Sequence, residues 1–371
     1  MSEPVLHTEA KPEALVPERE LDLQFRGNAR EYFRVWAVNL CLTLLTLGIF
    51  SAWAKVRKKR YFYAHTTLDH TPFQYLGQPL PILKGRLMAA ALFLLYYGSS
   101  HFLTALLPYV LTAGVLLAPW VIVRSAAFTA RYSAYRNMTF GFDGRYRDAV
   151  IALYWLGLIP LLVAGTIFGW WGNMPIGAGV YAVFGLLFPW WMRRLKHFLI
   201  THSAFGGENG ALSATGRQFF RVYFMAGLVV MLFAALTAGL VAALFSHIKV
   251  SSYSFILPAI PGYVGYVLAY AYLQAHNSNL VWNHTRLGPL RFKSRLTARG
   301  LAGLYLGNAL AIVASVGLLT PWAVIRTLKY RADHMQVFLD GDLAVFHSMD
   351  SAAVRATGAE LGEFFNVDLS L

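Results

Sequence analysis

The chain has 371 residues, of which 57% are hydrophobic, 15% are aromatic and only 13% are charged. Soluble globular proteins carry roughly 25% charged residues, so this composition excludes an ordinary soluble enzyme and predicts a membrane protein. The length excludes a small module, and the single Cys41 excludes an internal disulfide framework or a cysteine-built zinc or iron-sulfur site.

Charge is unevenly distributed along the chain. Residues 1–22 hold six of the eighteen acidic residues and residues 340–371 hold another six, whereas the middle holds six acids against 29 lysines and arginines. We expect an acidic disordered tail at 1–22, a transmembrane domain at 23–345 and an acidic C-terminal tail at 346–371. A middle this basic and hydrophobic favours loops beside anionic lipid and disfavours nucleic acid binding.

Uncharged segments long enough to cross the hydrocarbon core follow one another along the middle of the chain. They cover residues 35–54, 87–123, 149–192, 222–246, 250–275 and 300–325. The second and third are too long for one crossing, and turn residues predict breaks at Tyr97–Ser100 or Pro108 and at Gly172–Pro175. We therefore expect an all-α polytopic membrane protein with six to eight transmembrane helices and no cleaved signal peptide.

The distribution of lysine and arginine predicts which side of the membrane each connector occupies. The basic connectors 55–86, 124–147, 193–221 and 286–299 are expected in the cytoplasm, because cytoplasmic loops carry an excess of these residues. Single crossings by 35–54 and 300–325 would place both basic flanks outside, against this rule. Two alternatives remain open: plain spans, or re-entrant hairpins broken at Gly48 and Gly317 and supported by Asn39 and Asn308.

Internal repetition is the strongest pattern in the sequence. A shift of 269 residues aligns eight identical residues, including Asn39 with Asn308, Gly48 with Gly317 and His65 with His334. A shorter pattern has an aromatic residue, a cation four residues later and a histidine twelve residues later. Its copies are Trp53/Arg57/His65, Trp190/Arg194/His202, Tyr272/His276/His284 and Trp322/Arg326/His334. Trp120 and Arg124 start a fifth copy, which is predicted to contain an insertion and to end at Asn137.

Short alternating stretches follow each histidine or its replacement, and Asp-Gly pairs such as Asp143-Gly144 and Asp340-Gly341 are typical of tight turns. The sequence therefore predicts small β-hairpin connectors on the cytoplasmic face.

The N-terminal third carries a family resemblance. Phe25-Arg26-Gly27, the segments 31–36 and 42–49, and 52–63 with Trp53 and Arg57 resemble the YjgN family of bacterial inner-membrane proteins. The resemblance covers most of residues 22–345. It implies a polytopic protein of the bacterial inner membrane, and it implies no established activity. Together with the orientation of the basic connectors, we expect both termini in the cytoplasm. The resemblance also suggests a membrane-associated metallopeptidase as a partner.

The Trp–cation pairs are the main candidate binding residues. Trp53/Arg57, Trp120/Arg124, Trp190/Arg194 and Trp322/Arg326 are predicted to anchor the protein at the membrane interface, where tryptophan lies among headgroups and arginine binds anionic lipid. The repeat histidines His65, His202, His284 and His334 are predicted to be hydrogen-bonding anchors, with a metal site as the less favoured alternative. No catalytic residue, resident metal or cofactor is predicted.

Three functions are compatible with these patterns. Passive transport or channel-like permeation of an ion or amphiphile is our first prediction, because the hydrophobic segments contain no carboxylate to carry a coupling ion and two of them are candidate broken helices. The alternative is a membrane scaffold or accessory protein that binds anionic lipid or a protease partner. A histidine-metal enzyme is the third and least favoured reading.

Overall fold

A computed structural model describes residues 19–170, 172, 174–247 and 256–340. Of the two acidic tails expected from the sequence, all but residues 19–22 lie outside this range. Helices account for 71% of the residues, which confirms a mainly helical protein. In the described residues the helices are α1 (Ala29–Leu45), α2 (Ser51–Ala64), α3 (Pro79–His101), α4 (Leu107–Arg131), α5 (Tyr146–Leu153), α6 (Leu158–Trp170), α7 (Met174–Thr201), α8 (Gly216–His247), α9 (Ile256–Asn283), α10 (Ala298–Ala314) and α11 (Thr320–Asp333).

Thirteen short strands connect these helices within the same residues. They are β1 (Arg19–Leu21), β2 (Leu23–Phe25), β3 (Thr66–Leu68), β4 (Thr71–Pro72), β5 (Gln74–Tyr75), β6 (Ser133–Tyr135), β7 (Met138–Thr139), β8 (Gly141–Phe142), β9 (Ser203–Phe205), β10 (Glu208–Leu212), β11 (Thr285–Leu287), β12 (Leu290–Ser294) and β13 (Met335–Leu339).

The strands form three sheets that follow one another in a cyclic order. The sheets have the strand orders β2-β3-β4, β5-β6-β7 and β8-β9-β10-β11-β12-β13-β1. Each hydrogen-bonded strand pair is antiparallel. Single residues, Asp22, Phe73 and Phe140, separate β1 from β2, β4 from β5 and β7 from β8. Because β13 pairs with β1, the order returns from the last described strand to the first. We call this arrangement of three linked sheets the β ring.

One apolar residue from each β-hairpin meets in the centre of the β ring. Each stands three residues after the residue that ends the preceding helix, so the same position recurs five times along the chain. The five residues are Leu68, Tyr135, Phe205, Leu287 and Val337. All are buried, and Leu21, Leu290 and Leu339 complete the same cluster. The interior of the β ring is therefore a packed apolar core.

Five helical segments leave the β ring and return to it. Segment 1 consists of α1 and α2, segment 2 of α3 and α4, segment 3 of α5, α6 and α7, segment 4 of α8 and α9, and segment 5 of α10 and α11. Each segment contacts the next, and α11 contacts α1. The helices therefore form a closed circuit above the β ring.

The segments differ in length. Among the described residues, four helices are long and apolar enough to cross a membrane, namely Pro79–His101, Thr104–Arg131, Met174–Thr201 and Gly216–Ala243. They belong to segments 2, 3 and 4. The break between α3 and α4 falls after His101, next to the predicted turn, and α7 begins at Met174 as expected. The first arm of segment 3 has a further break that the sequence did not predict, at Tyr154–Gly157, where Gly157 has a φ of 64°.

Segments 1 and 5 are short helical hairpins. Neither 35–54 nor 300–325 is one continuous helix, because α1 ends at Leu45 and α10 ends at Ala314. The two tips have the same conformation: Gly48 has a φ of 92° and Gly317 a φ of 90°, a region that favours glycine. Both glycine amides donate to the carbonyl five residues earlier, at 2.8 Å. The candidate helix breaks therefore occur at the two predicted glycines.

Three details of the sequence interpretation are corrected. Residues 19–21 belong to the β ring instead of the tail, because β1 pairs with β13. Asp143-Gly144 is not a hairpin turn, since Asp143 follows β8 and donates its amide to the carbonyl of His202. The fifth copy has no insertion: Tyr132, twelve residues after Trp120, ends α4 as the histidines end theirs. Asn137 lies instead in the β6–β7 turn, with a φ of 62°.

Candidate functional site

A belt of five cationic or titratable side chains surrounds the helical circuit at one level. Each stands eight residues before the residue that ends its helix, which places it about 12 Å from the β ring at 1.5 Å per residue. The five residues are Arg57, Arg124, Arg194, His276 and Arg326. We call them the cation belt. Arg124 is half-buried and the other four are exposed. His276 is the member that the sequence interpretation did not include among the anchors.

Every member of the cation belt lies against an aromatic ring. Two of the predicted pairs are in direct contact: the guanidinium of Arg124 lies 5.9 Å from the ring centre of Trp120, and that of Arg326 lies 5.2 Å from Trp322. The ring of His276 is 4.2 Å from that of Tyr272. Such contacts hold a cation at an aromatic face and stabilise it by about 0.5–2 kcal/mol.

The other two predicted pairs use different rings. Arg57 lies 5.6 Å from the ring centre of Phe50, and Trp53 stacks on the same phenylalanine. Arg194 lies 5.9 Å from Trp155, which belongs to the unpredicted break in segment 3. The ring of Trp190 packs against Phe220 and against the backbone at Gly216. Each tryptophan therefore lies near the belt, although only two of the four contact their own arginine.

Two buried asparagines join the arms of the short hairpins. Asn308 donates from Nδ2 to the carbonyl of Ala323 at 3.2 Å, and its Oδ1 accepts from Arg326 at 3.4 Å. Asn39 makes the equivalent contacts with Ala54 and Arg57, each at 3.5 Å, which is long for a hydrogen bond. Asn39 and Asn308, the predicted helix-break or pore candidates, therefore bond to the backbone of the facing arm of their own hairpin and orient a belt arginine.

The four repeat histidines have one common role. Each ring bonds through Nδ1 to the carbonyl four residues earlier, at distances of 2.7–2.9 Å for His65, His202, His284 and His334. The backbone carbonyl of each histidine accepts a hydrogen bond from a backbone amide. The donor is the residue directly after the strand that precedes the same helical segment. These contacts hold the helix end against the β ring, and Tyr132 makes the same backbone contact with Leu76.

The remaining ring nitrogen of three histidines faces the start of the same segment. Nε2 of His65 is 3.7 Å from Glu31, Nε2 of His202 is 3.9 Å from Asp148, and Nε2 of His284 is 3.3 Å from Gln218. Each histidine thus links the two ends of its segment. Within the part of the chain that the structure describes, no group of three or more His, Cys, Asp or Glu residues is close enough to hold a metal ion.

The exposed surface of the helices is apolar around and beyond the belt. At the tips of the short hairpins, Leu47 is 95% exposed and Val316 is 92% exposed, and neighbouring leucines are also exposed. Large exposed apolar surface marks contact with a membrane or a partner. Chemically, the belt offers guanidinium groups to oxyanions at the boundary between this surface and the β ring.

Comparisons with known proteins agree with this interpretation. The family described as "Bacterial protein of unknown function (DUF898)" matches residues 20–364. The inner membrane protein YjgN of Salmonella typhimurium is 26% identical over 358 residues, which cover 86% of this chain and 89% of the relative. YjgN of Escherichia coli K12 is 29% identical over 150 residues, or 39% of this chain and 36% of the relative. No solved structure matches the chain significantly. The resemblance inferred from the N-terminal residues is confirmed.

Proposed function

This chain belongs to the DUF898 family of bacterial proteins of unknown function, and from that premise we propose that it is a multi-pass inner-membrane protein that lets an amphiphile pass along its two short hairpins. The membrane setting is supported by the relatives, which are named inner membrane proteins, and by the four long apolar helices.

The proposed topology has six crossings and two re-entrant hairpins. We assign one pair of crossings each to segments 2, 3 and 4, with the arm formed by α5 and α6 together, residues 146–170, and α9 as the crossings beside the four long helices. Segments 1 and 5 enter the bilayer and return. Every segment begins and ends at the β ring, so this topology puts all the basic connectors and both termini in the cytoplasm, in agreement with the positive-inside rule.

Labelling of single cysteines tests this topology. Cysteine is introduced at Ala29, His101 or Ala332 in a Cys41→Ala background, and intact cells are treated with an impermeant thiol reagent. We expect labelling at His101 alone, because it is exposed at the far end of α3 whereas the other two positions lie next to the β ring. Labelling at Ala29 and Ala332 from outside would contradict the re-entrant assignment.

We further propose that the chain consists of five copies of one unit. The support is the recurrence of the helix-end residue, the belt cation and the ring-core residue at fixed spacing in all five segments. Further support is an aromatic residue followed two positions later by glycine, in Phe25–Gly27, Tyr75–Gly77 and Phe142–Gly144. Each aromatic ring lies against its glycine so closely that a Cβ atom there would be 2.4–2.5 Å from the ring.

The short hairpins carry the functional proposal. α1 and α10 each have 17 residues, or about 25 Å of helix, and their first turns lie beside the β ring. A hydrocarbon core of about 30 Å cannot be crossed by such a hairpin, whereas α8 has 32 residues. Because α1 contacts α11, the two short hairpins are adjacent. One sector of the helical circuit is therefore shorter than the rest.

The packed β ring favours an amphiphile over an ion as the proposed cargo. An aqueous path along the axis of the helical circuit would meet the apolar core around Tyr135 and Phe205, both of which are fully buried. An amphiphile has a different path, because its tails can stay in lipid beside the exposed tips while its headgroup passes the short sector. The belt arginines Arg57 and Arg326 stand in this sector and can contact the headgroup.

Reconstitution into vesicles tests the proposed passage. The protein is inserted into vesicles that contain a phospholipid with a fluorescent headgroup, and an impermeant reductant quenches the accessible fraction. Protein-free vesicles lose about half of the signal, and we expect loss of nearly all of it with protein. We expect the double variant Asn39→Leu plus Asn308→Leu to slow the second half of the decay. A Phe102→Ala variant, changed at an exposed site in segment 2, is the matched control.

An equal decay with and without protein would refute lipid passage. Release of a trapped dye in the same vesicles must remain at the protein-free level, because general leakage would also expose the inner leaflet. An ion flux that the double variant abolishes, without lipid movement, would favour the ion reading instead.

A membrane scaffold is the second candidate, and the cation belt favours it. A ring of arginines held at aromatic faces fits binding of anionic lipid without any passage. Under this proposal a membrane-associated metallopeptidase is a partner. Crosslinking in intact cells followed by affinity purification should recover one constant membrane protein, and recovery of none under several growth conditions would oppose the scaffold role.

A further inference from the structure

Arg331 occupies a position at which the other four helical segments have uncharged side chains. It stands three residues before the helix-end residue His334. The equivalent residues of the other segments are Phe62, Thr129, Leu199 and Val281. Leu199 and Val281 are buried, at 7% and 6% exposure, and each packs into an apolar cluster that includes residues of the preceding segment. Segment 5 alone therefore places a permanent positive charge where the other segments have uncharged side chains.

The guanidinium of Arg331 is held by neutral groups from two other helices. Its Nη2 donates to Oε1 of Gln274 in α9 at 3.3 Å and to the hydroxyl of Tyr305 in α10 at 3.2 Å. The ring of Tyr305 lies 5.5 Å from that of Tyr270, which brings a second tyrosine next to the group. Arg331 thus bridges three consecutive helices of the circuit.

The charge and one donor of Arg331 have no partner on the described part of the chain. Its Nε is buried and makes no hydrogen bond. No ion pair joins Arg331 to a carboxylate of the described residues. Asp333 is the nearest acid in the sequence, but residues two apart on a helix do not face each other. Arg331 is half-buried, and a charge that is partly removed from water is stabilised by a counter-charge.

We propose that Arg331, Gln274 and Tyr305 form a binding site for an oxyanion of the phosphate class. The planar guanidinium suits such an anion because its N–H groups bind two oxygens at once, and Nη1 carries neither of the two hydrogen bonds to Gln274 and Tyr305. The amide of Gln274 and the hydroxyl of Tyr305 provide further polar contacts. The phosphate belongs to a lipid headgroup or is free in solution, and both sources share this chemistry.

Arg331→Leu is the informative variant, because leucine already occupies the equivalent position in segment 3. Lys329→Leu is the matched control: it removes the same charge from an exposed site on the same helix. Delipidated full-length protein in detergent is titrated with three probes, and binding is measured by the shift in thermal unfolding. The probes are inorganic phosphate, dihexanoylphosphatidylglycerol, and dihexanoylglycerol, which has the same tails and no phosphate.

We expect the affinity for at least one phosphate probe to fall tenfold or more in Arg331→Leu and to stay within twofold in Lys329→Leu. Tighter binding of the phospholipid identifies a headgroup site, and equal binding of inorganic phosphate identifies a free-anion site. Without any probe, Arg331→Leu should unfold at the same temperature as wild type or higher, since a half-buried charge with no ion pair among the described residues is replaced by an apolar side chain.

The proposal is overturned if wild type and Arg331→Leu bind both phosphate probes within twofold of each other, or if dihexanoylglycerol binds as well as the phospholipid. Should Arg331→Leu fail to fold, Gln274→Leu combined with Tyr305→Phe keeps the charge and removes the two side-chain partners. That variant should lose affinity about threefold or more, and an unchanged affinity would also overturn the site. The readout is equilibrium binding, so it stands or fails independently of lipid passage.

Discussion

The core of the β ring can be tested by truncating one buried side chain. Phe205 is 0% exposed, and its ring lies 4.8 Å from that of Phe140 and 6.3 Å from that of Tyr135. Replacing a fully buried phenylalanine with alanine costs about 3–5 kcal/mol, because apolar contacts are lost and a cavity remains. We expect Phe205→Ala to lower the free energy of unfolding by about 4 kcal/mol.

The expected change in melting temperature follows from the size of the protein. With an unfolding entropy of about 2.1 cal/mol/K per residue over about 300 ordered residues, 4 kcal/mol corresponds to about 6 °C. Tryptophan fluorescence of the detergent-solubilised protein measures this shift. Phe102→Ala removes an equally large ring that is 79% exposed and should change the melting temperature by less than about 1 °C. Equal shifts for the two variants would refute a packed ring interior.

Three further predictions concern the β ring and its surroundings. Gly77→Ala should destabilise the protein by about 1–3 kcal/mol in thermal unfolding, because its Cβ would lie 2.4 Å from the ring of Tyr75; Gly98→Ala, where nothing lies within 4 Å, should not. Asp69→Asn removes two ion pairs of 2.8 Å and should cost about 0.5–2 kcal/mol in 20 mM salt and clearly less in 1 M salt; an effect independent of salt would contradict this. Burial raises the pKa of Tyr135, so its contribution to stability is complete below the unfolded-state pKa of about 10 and is lost as pH rises through the folded-state pKa; the stability gap between wild type and Tyr135→Phe should narrow above pH 10, and a widening gap would be the wrong sign.

The helix breaks at Gly48 and Gly317 could be proposed from the sequence because two observations pointed to the same segments. The 269-residue shift paired Gly48 with Gly317 and Asn39 with Asn308, and single crossings of both segments violated the positive-inside rule. Both glycines have a positive φ in the structure, a conformation that favours glycine. The sequence left plain spans and re-entrant hairpins open, and in the structure Asn308 joins the two arms of its segment.

The β ring could not be predicted from the same patterns. Its strands have two to five residues, too few for alternation to specify register, and its cyclic order depends on the pairing of β1 with β13 across most of the chain. The end of the copy that starts at Trp120 was predicted wrongly for a related reason. Tyr132 replaces the expected histidine, and the backbone contact that defines this position does not depend on the side chain.

The aromatic partners of the cation belt and the partners of Arg331 could not all be predicted from residue spacing along one helix. Arg194 lies against Trp155 from a different helix, and Arg331 finds its partners on α9 and α10. A pattern within one segment reports side chains on that segment. Contacts between segments become visible only when equivalent positions of all five are compared, as the single charge at Arg331 illustrates.

The pairing of β1 with β13 has a consequence for biosynthesis. Strands β1 to β12 leave the ribosome before β13, so until Met335–Leu339 is made β1 and β12 both lack the neighbour that β13 supplies. Exposed edges pair readily with other chains. A nascent chain stalled just before Met335 would carry all its hydrophobic segments while β1 and β12 remained open to pairing with the wrong partner.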